Sequence, residues 1–236
     1  YNTLNLYLKI KQKRSMPRAF EVNDYKKIKE IIAKQSFRNL KILITGDGRV
    51  AKGSLEFLKY TNIKQISLKD YLTKSYEDAV YCNIPTSKYV EHNDGRNFLI
   101  EDFIKNPHNY NSIIKKYLIE TDILISSHYW DPKSPKLFNL NEIKEFKNLK
   151  IIGDITCDIN GSIPTTIRSS SILKPYYAID KKVFKETSLE KESIAIMAVD
   201  NLPSELPSDS SEEFGKDVLK EVLPYLLKDD DGRISR

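Results

Sequence analysis

Apolar residues in this chain fall into short unbroken runs, and between the runs they recur every three or four positions. The runs at 40–44, 80–84, 121–127, 149–155 and 193–199 are each long enough for one strand, and 63–67, more polar, is read as a further strand after the first helix of the sheet. Continuous apolar runs of this length, bounded by polar residues, predict strands covered on both faces. Helical spacing fills the gaps. Val50, Ser54, Phe57 and Leu58 predict a helix over about 49–60, and Ile28, Ile31 and Ile32 predict one over 24–34 with Asp24 near its start. Residues 1–16 predict a helix crowded with Leu4, Leu6, Tyr7, Leu8 and Ile10 and ended by Pro17. Ile113, Ile114, Tyr117 and Leu118 mark the buried stripe of 101–119, which Pro107 interrupts, and 141–146 predicts a short helix. Asp94 and Gly95 lie between two partly apolar arms in 89–99, a β-hairpin signal. A final helix over about 209–227 is predicted to bury Phe214, Val218 and Val222, with 229–232 as its breaker. Strands alternating with helices predict an α/β domain built on a mainly parallel sheet.

The first run leads directly into Gly46, Asp47, Gly48, Arg49, Val50 and Ala51. This fits G-x-G-x-x-A at the junction of a predicted strand and a predicted helix. Gly46 permits a tight turn, Gly48 lets backbone approach a pyrophosphate, and Ala51 lets the helix lie close on the strand. The helix then offers its free N–H groups and positive end to the phosphates. The expected fold is a Rossmann-like, doubly wound sheet with a β-hairpin insertion. In the NAD-binding version of this pattern a carboxylate closes the second strand. Here Ser67 holds that place, with Lys69 and Asp70 just beyond. Serine and lysine suit a 2′-phosphate, and an ordinary strand end is the plain alternative. His128 follows the 121–127 run at the end where ligands bind in such sheets, so it is a candidate contact. The bland alternative has Tyr129 and Trp130 packing under a loop.

Composition narrows the class. The chain has 236 residues, 40% hydrophobic and 30% charged, as in ordinary globular proteins. Its net charge of +5 comes from lysines interspersed with acids, which argues against a nucleic-acid partner. No apolar run reaches the roughly 20 residues that span a bilayer, and the first residues lack the pattern of a signal peptide. Two cysteines, Cys82 and Cys157, are too few for a disulfide framework, so a cytoplasmic setting is expected. His92, His108 and His128 are scattered, and Asp154, Asp158 and Asp200 lack the spacing of a metal site. The chain begins with Tyr1 rather than Met and is read as a piece whose upstream part is absent.

Four segments, 46–53, 125–132, 154–162 and 199–207, appear in an order that resembles one family. The chain resembles the nucleotide-binding, carboxyl-terminal portion of lysine-forming saccharopine dehydrogenases, relatives of alanine dehydrogenase and of lysine–oxoglutarate reductase. The resemblance implies NAD or NADP as cofactor and an amino acid and a 2-oxo acid as substrates. It implies hydride transfer at a C–N bond, joining lysine and 2-oxoglutarate or the reverse. Carried over by position, Gly46, Gly48, Arg49 and Val50 would meet the pyrophosphate, and Ser67 the adenine ribose. Ile125 and Ser126 would run beside the cofactor, and Asp200, Asn201 and Leu202 would line its nicotinamide end. Asn201 stands where relatives often have His. The family's catalytic Lys and His lie in an amino-terminal domain and match nothing here, so no catalytic residue is assigned. The implied division is 1–36 as connecting helices, 37–200 as the dinucleotide-binding domain and 201–236 as a helix returning to the absent domain. That domain is the expected partner, and homo-oligomerisation is left open. An alanine dehydrogenase-type enzyme, a methyltransferase and a non-catalytic nucleotide sensor are the competing readings.

Overall fold

The computed structural model describes residues 1–190 and 192–227. Its centre is an eight-stranded sheet. In chain order the strands are β1 (Lys41–Thr45), β2 (Lys64–Gln65), β3 (Val80–Ile84), β6 (Ile123–Ser126), β7 (Ile151–Asp154), β8 (Tyr177–Asp180), β9 (Glu186–Thr187) and β10 (Ser193–Met197). They lie side by side in the order β2-β3-β1-β6-β7-β10-β8-β9. The first six positions in this order pair in parallel, while β8 runs antiparallel to both β10 and β9. The expected α/β, mainly parallel architecture is therefore present.

Both faces of the central strands are covered, which is why those strands read as apolar runs. Side chains alternate between faces with period two. Ile42, Ile44, Ile123, Ile151 and Ala195 join one core with Leu4, Leu6, Tyr7 and Leu8 of the first helix and with Ile32 and Leu58. Leu43, Leu124, Ile152, Ile194 and Ile196 point the other way, into a core with Tyr71, Tyr89, Ile114, Tyr117 and Phe146. Gly153 of β7 sets how closely the first helix approaches, since a Cβ there would meet Thr3 Oγ1 at 2.8 Å. Asp24 caps Tyr25–Ala33 by accepting the Lys27 N–H at 3.0 Å.

Several local expectations change. The first helix (Asn2–Tyr7, with a π-helical turn Leu8–Gln12) ends at Lys13 and not at Pro17. Lys13 turns left-handed, φ 54°, and its N–H bonds back to the Leu8 carbonyl. The insertion is a two-stranded antiparallel ribbon, but Asp94 and Gly95 do not join its arms. β4 (Val90–His92) pairs with β5 (Tyr110–Ser112), and a helix, Ile100–Lys105, fills the excursion between them. His92 ends β4, its Nδ1 2.6 Å from Asp94 Oδ1 and its ring 4.8 Å from that of Tyr110. The final helix (Pro207–Asp217, continued by Val218–Val222 and Leu223–Leu226) buries none of its residues. Phe214, expected inside, is 71% exposed. The breaker at 229–232 lies outside the described residues.

Candidate functional site

The carboxyl ends of the parallel strands form one rim. The register aligns Ile84 with Thr45, Thr45 with Ser126, and Ser126 with Asp154. Residues just beyond this row line the crevice where ligands bind in open α/β sheets.

Gly46 opens the turn after β1 with φ +95°, a backbone that side chains rarely adopt. A Cβ there would also meet the Ser127 carbonyl oxygen at 2.7 Å. Both conditions demand glycine. The turn is fixed on either side: Gly46 N–H donates to the Ile84 carbonyl at 2.9 Å, and Asn83 Nδ2 donates to the Gly46 carbonyl at 2.8 Å. Gly48 behaves differently. It is the N-cap of Arg49–Leu58, no side chain caps that helix, and a Cβ at Gly48 would meet nothing within 4 Å. The first turn of the helix thus has no side-chain cap, and its residues Gly48, Arg49 and Val50 are exposed, so a phosphate can take its free N–H groups. Ala51 is fully buried, as close helix–strand packing requires.

Val50 and Ile125 line one cavity of about 370 Å³ with Ile44, Gly53, Ser54 and Ile155. Ser126 is buried at the end of β6, with Oγ 3.5 Å from His128 Nδ1. Thr45 Oγ1 lies 2.8 Å from the same nitrogen. The His128 ring meets Tyr89 edge-on at 6.0 Å between centroids. Burial pulls its pKa from the ordinary 6.5 down to about 4, so the imidazole is neutral at pH 7. His128 is thus a packed, uncharged residue beneath the rim, and Tyr129 beside it is 87% exposed rather than tucked under a loop.

Asp200, Asn201 and Leu202 follow β10 and are exposed. They lie three strands from β1 in the sheet order, about 14 Å at the usual strand spacing. Asp200 borders a second, larger cavity of about 1330 Å³, shared with Asn5, Arg18, Arg168 and Ser170. Asp154 is committed to its own loop. Its Oδ1 accepts from Thr156 Oγ1 and its Oδ2 from Thr166 Oγ1, each at 2.6 Å. Burial, with Asp154 nearby, raises the Asp158 pKa. Burial and the acids Asp154, Asp200 and Asp158 push Cys157 up to about 11, so it is a thiol and not a thiolate at pH 7. Among the described residues no group of three His, Cys, Asp or Glu is placed to hold a metal ion.

Ser67 stands apart from the other candidates. β2 is an edge strand of two residues, and β3 lies between it and β1. The Ser67 hydroxyl caps the next helix by accepting the Asp70 N–H at 3.1 Å. The apolar pattern could locate both strands but not order them. Sequence reasoning also missed two groups at this rim. Asn83 braces the glycine turn. Arg18 Nη2 reaches Glu205 Oε1 at 2.9 Å and the Ile172 carbonyl at 2.7 Å, tying the amino-terminal segment to the turn that follows Leu202. Neither has a local signal, because each partner is distant in sequence.

Comparison with known proteins agrees with this architecture. Residues 79–234 match the family model described as alanine dehydrogenase/PNT, C-terminal domain. An alpha-aminoadipic semialdehyde synthase of Arabidopsis thaliana is 29% identical over 202 residues, which covers 76% of this chain and 19% of that protein. The mitochondrial alpha-aminoadipic semialdehyde synthases of Bos taurus and Mus musculus are each 25% identical over 236 residues, 83% of this chain and 24% of theirs. The chain thus spans only about a fifth to a quarter of the length of these relatives. The resemblance read from the four segments is borne out: the chain belongs to the alanine dehydrogenase/PNT C-terminal domain family.

Proposed function

We propose that this chain is the dinucleotide-binding portion of an NAD(P)-dependent oxidoreductase of amino-acid metabolism, acting at a C–N bond. The glycine turn carries the reading. Gly46 is forced by φ and by the Ser127 carbonyl, while Gly48 starts a helix with no side-chain cap and leaves open space where a Cβ would stand. A turn serving only the fold has no need of the second feature. Family membership and the names of the relatives support the same chemistry.

The bound nicotinamide would supply hydride transfer. The backbone N–H groups of Arg49, Val50 and Ala51 would hold the pyrophosphate. Val50 and Ile125, sharing one apolar cavity, would keep water from the middle of the crevice. Asp200, Asn201 and Leu202 would border the reacting end. The two titratable groups packed at the rim are not free to carry a proton to an amine at pH 7. His128 is neutral and packed, and Asp154 is spent on Thr156 and Thr166. The proton-handling groups are therefore assigned to an amino-terminal domain of the same chain, with residues 1–36 as the connection and 201–236 as the return. The substrates that fit are an amino acid and a 2-oxo acid, lysine and 2-oxoglutarate in the saccharopine dehydrogenase reading.

Titration with NADH and NADPH, followed by nicotinamide fluorescence, tests this. Saturable binding is expected with at least one of them, together with no turnover of lysine and 2-oxoglutarate by residues 1–236 alone. A cooperatively folded sample that binds neither would sink the dinucleotide reading.

A further inference from the structure

We propose that the 2′-position of the adenosine ribose is read by Thr86, Ser87 and Lys88, and that this segment accepts a 2′-phosphate. The inference rests on the dinucleotide reading above and adds which residues choose between the two cofactors.

Strand order carries the argument. In a doubly wound sheet the adenine ribose lies over the carboxyl end of the strand beside the glycine strand, on the side away from the rest of the nucleotide path. In this fold that neighbour is β3, not β2. β3 pairs with β1 along its whole length, with Ile84 opposite Thr45. The Ile84 carbonyl accepts the Gly46 N–H, and the Asn83 side chain holds the Gly46 carbonyl. The residues leaving β3 therefore start against the glycine turn. β2 ends one strand further out, about 10 Å from β1 at ordinary strand spacing. Ser67 there has its hydroxyl engaged, and Asp70 in the same turn is paired with Lys74 at 2.9 Å.

The segment leaving β3 has the right chemistry for a phosphate. Pro85, Thr86, Ser87 and Lys88 contain no carboxylate to take the two hydroxyls of an unphosphorylated ribose. They offer two hydroxyls and an ammonium. Thr86 is half-buried with Oγ1 3.3 Å from the Tyr89 hydroxyl, which orients it, and Ser87 and Lys88 are exposed. The Lys88 backbone is anchored, since its carbonyl accepts from Tyr117 Oη at 2.9 Å and its N–H donates to the Pro85 carbonyl. Its ammonium has no ion pair among the described residues, and neither does the guanidinium of Arg49 at the start of the glycine helix. The acid on the turn itself is Asp47, whose charge reaches Tyr89. If Asp47 took the ribose hydroxyls, the preference would run the other way.

The test is a fluorescence titration of NADPH and NADH with the wild-type chain, Lys88→Glu and Lys69→Glu. Both substituted residues are at exposed positions, and a urea melt of each variant checks that the fold is kept. NADPH is expected to bind about tenfold or more tighter than NADH, as charge-assisted phosphate contacts require. Lys88→Glu is expected to erase that preference while changing NADH affinity by no more than about twofold, and Lys69→Glu to leave it intact. Equal binding of the two, tighter NADH, or loss of the preference in Lys69→Glu but not in Lys88→Glu would overturn the assignment. Binding without preference overturns this inference alone. Binding of neither overturns it together with the dinucleotide reading.

Discussion

Gly46 and Gly48 lie two residues apart and answer to different constraints. Gly46→Ala places a side chain at φ +95° and against a carbonyl 2.7 Å away, so it is expected to cost about 2 kcal/mol or more in a urea melt. Gly48→Ala meets nothing and should change stability by less than about 1 kcal/mol, yet weaken dinucleotide binding measurably, because the added methyl group occupies the phosphate approach. The two substitutions thus separate fold from function within one turn. His128 makes a third residue-scale prediction. Its folded pKa, about 4, lies below its ordinary 6.5, so between these values the unfolded chain binds more protons. Stability from this group is complete above pH 6.5 and is lost as the pH falls toward 4, by about 3 kcal/mol in all. Urea melts at pH 7 and pH 4.5 should show a steeper loss for the wild type than for His128→Gln. The glycines were legible in the sequence because their spacing is local. The fate of His128 was not, since Thr45 and Tyr89, which neutralise its promise as a proton carrier by packing it, come from other strands and loops.

At the scale of elements, apolar runs located the central parallel strands because both of their faces are covered. The edge pieces escaped. β9 has two residues, neither of them buried, so it carries no clear period, and β8 is a lone four-residue run beside it. The hairpin signal at Asp94 and Gly95 named a turn correctly and its partner wrongly: Gly95 does take φ +79°, but β4 pairs across a helical excursion with β5. Turn residues report the local bend and say nothing about which strand comes back. The loop bearing Asp200, Asn201 and Leu202 is held from outside its own segment. Ser170 pairs with Val199, and Arg18 bonds Glu205, whose side chain is 8% exposed. Arg18→Met should leave the Glu205 carboxylate buried and unpaired, costing about 2–4 kcal/mol, and the Arg18→Met/Glu205→Leu double variant should recover part of that loss. Amide exchange in 200–206 should quicken in the single variant ahead of the rest of the sheet.

For the whole molecule, the last helix is one element that leaves several large apolar side chains in solvent. Phe214, Leu219 and Leu226 are each 60% exposed or more, on the helix that sequence pattern had turned inward. The periodicity was real, but it does not say what the stripe packs on. Phe214→Lys is therefore expected to leave the urea midpoint of this chain unchanged within about 0.5 kcal/mol and to lower binding of a hydrophobic dye. A clear loss of stability would mean that the stripe has a partner within these residues. By contrast, the first helix, equally rich in apolar residues, is pinned to the sheet through Leu4, Leu6, Tyr7 and Leu8 and by the close approach at Gly153.

The order β2-β3-β1 also sets a timetable for a chain made from its amino terminus. β1 is complete at Thr45 and β2 at Gln65, but the two never touch as neighbours. Both wait for β3, which closes only at Ile84, and the other flank of β1 waits for Ser126. A nascent chain that has passed Gln65 therefore carries two ready strands with no partner for either, and their unpaired edges are open to other chains. The glycine turn, braced by Asn83 and Ile84 on one side and Ser127 on the other, takes its final shape only once Ser127 has been synthesised.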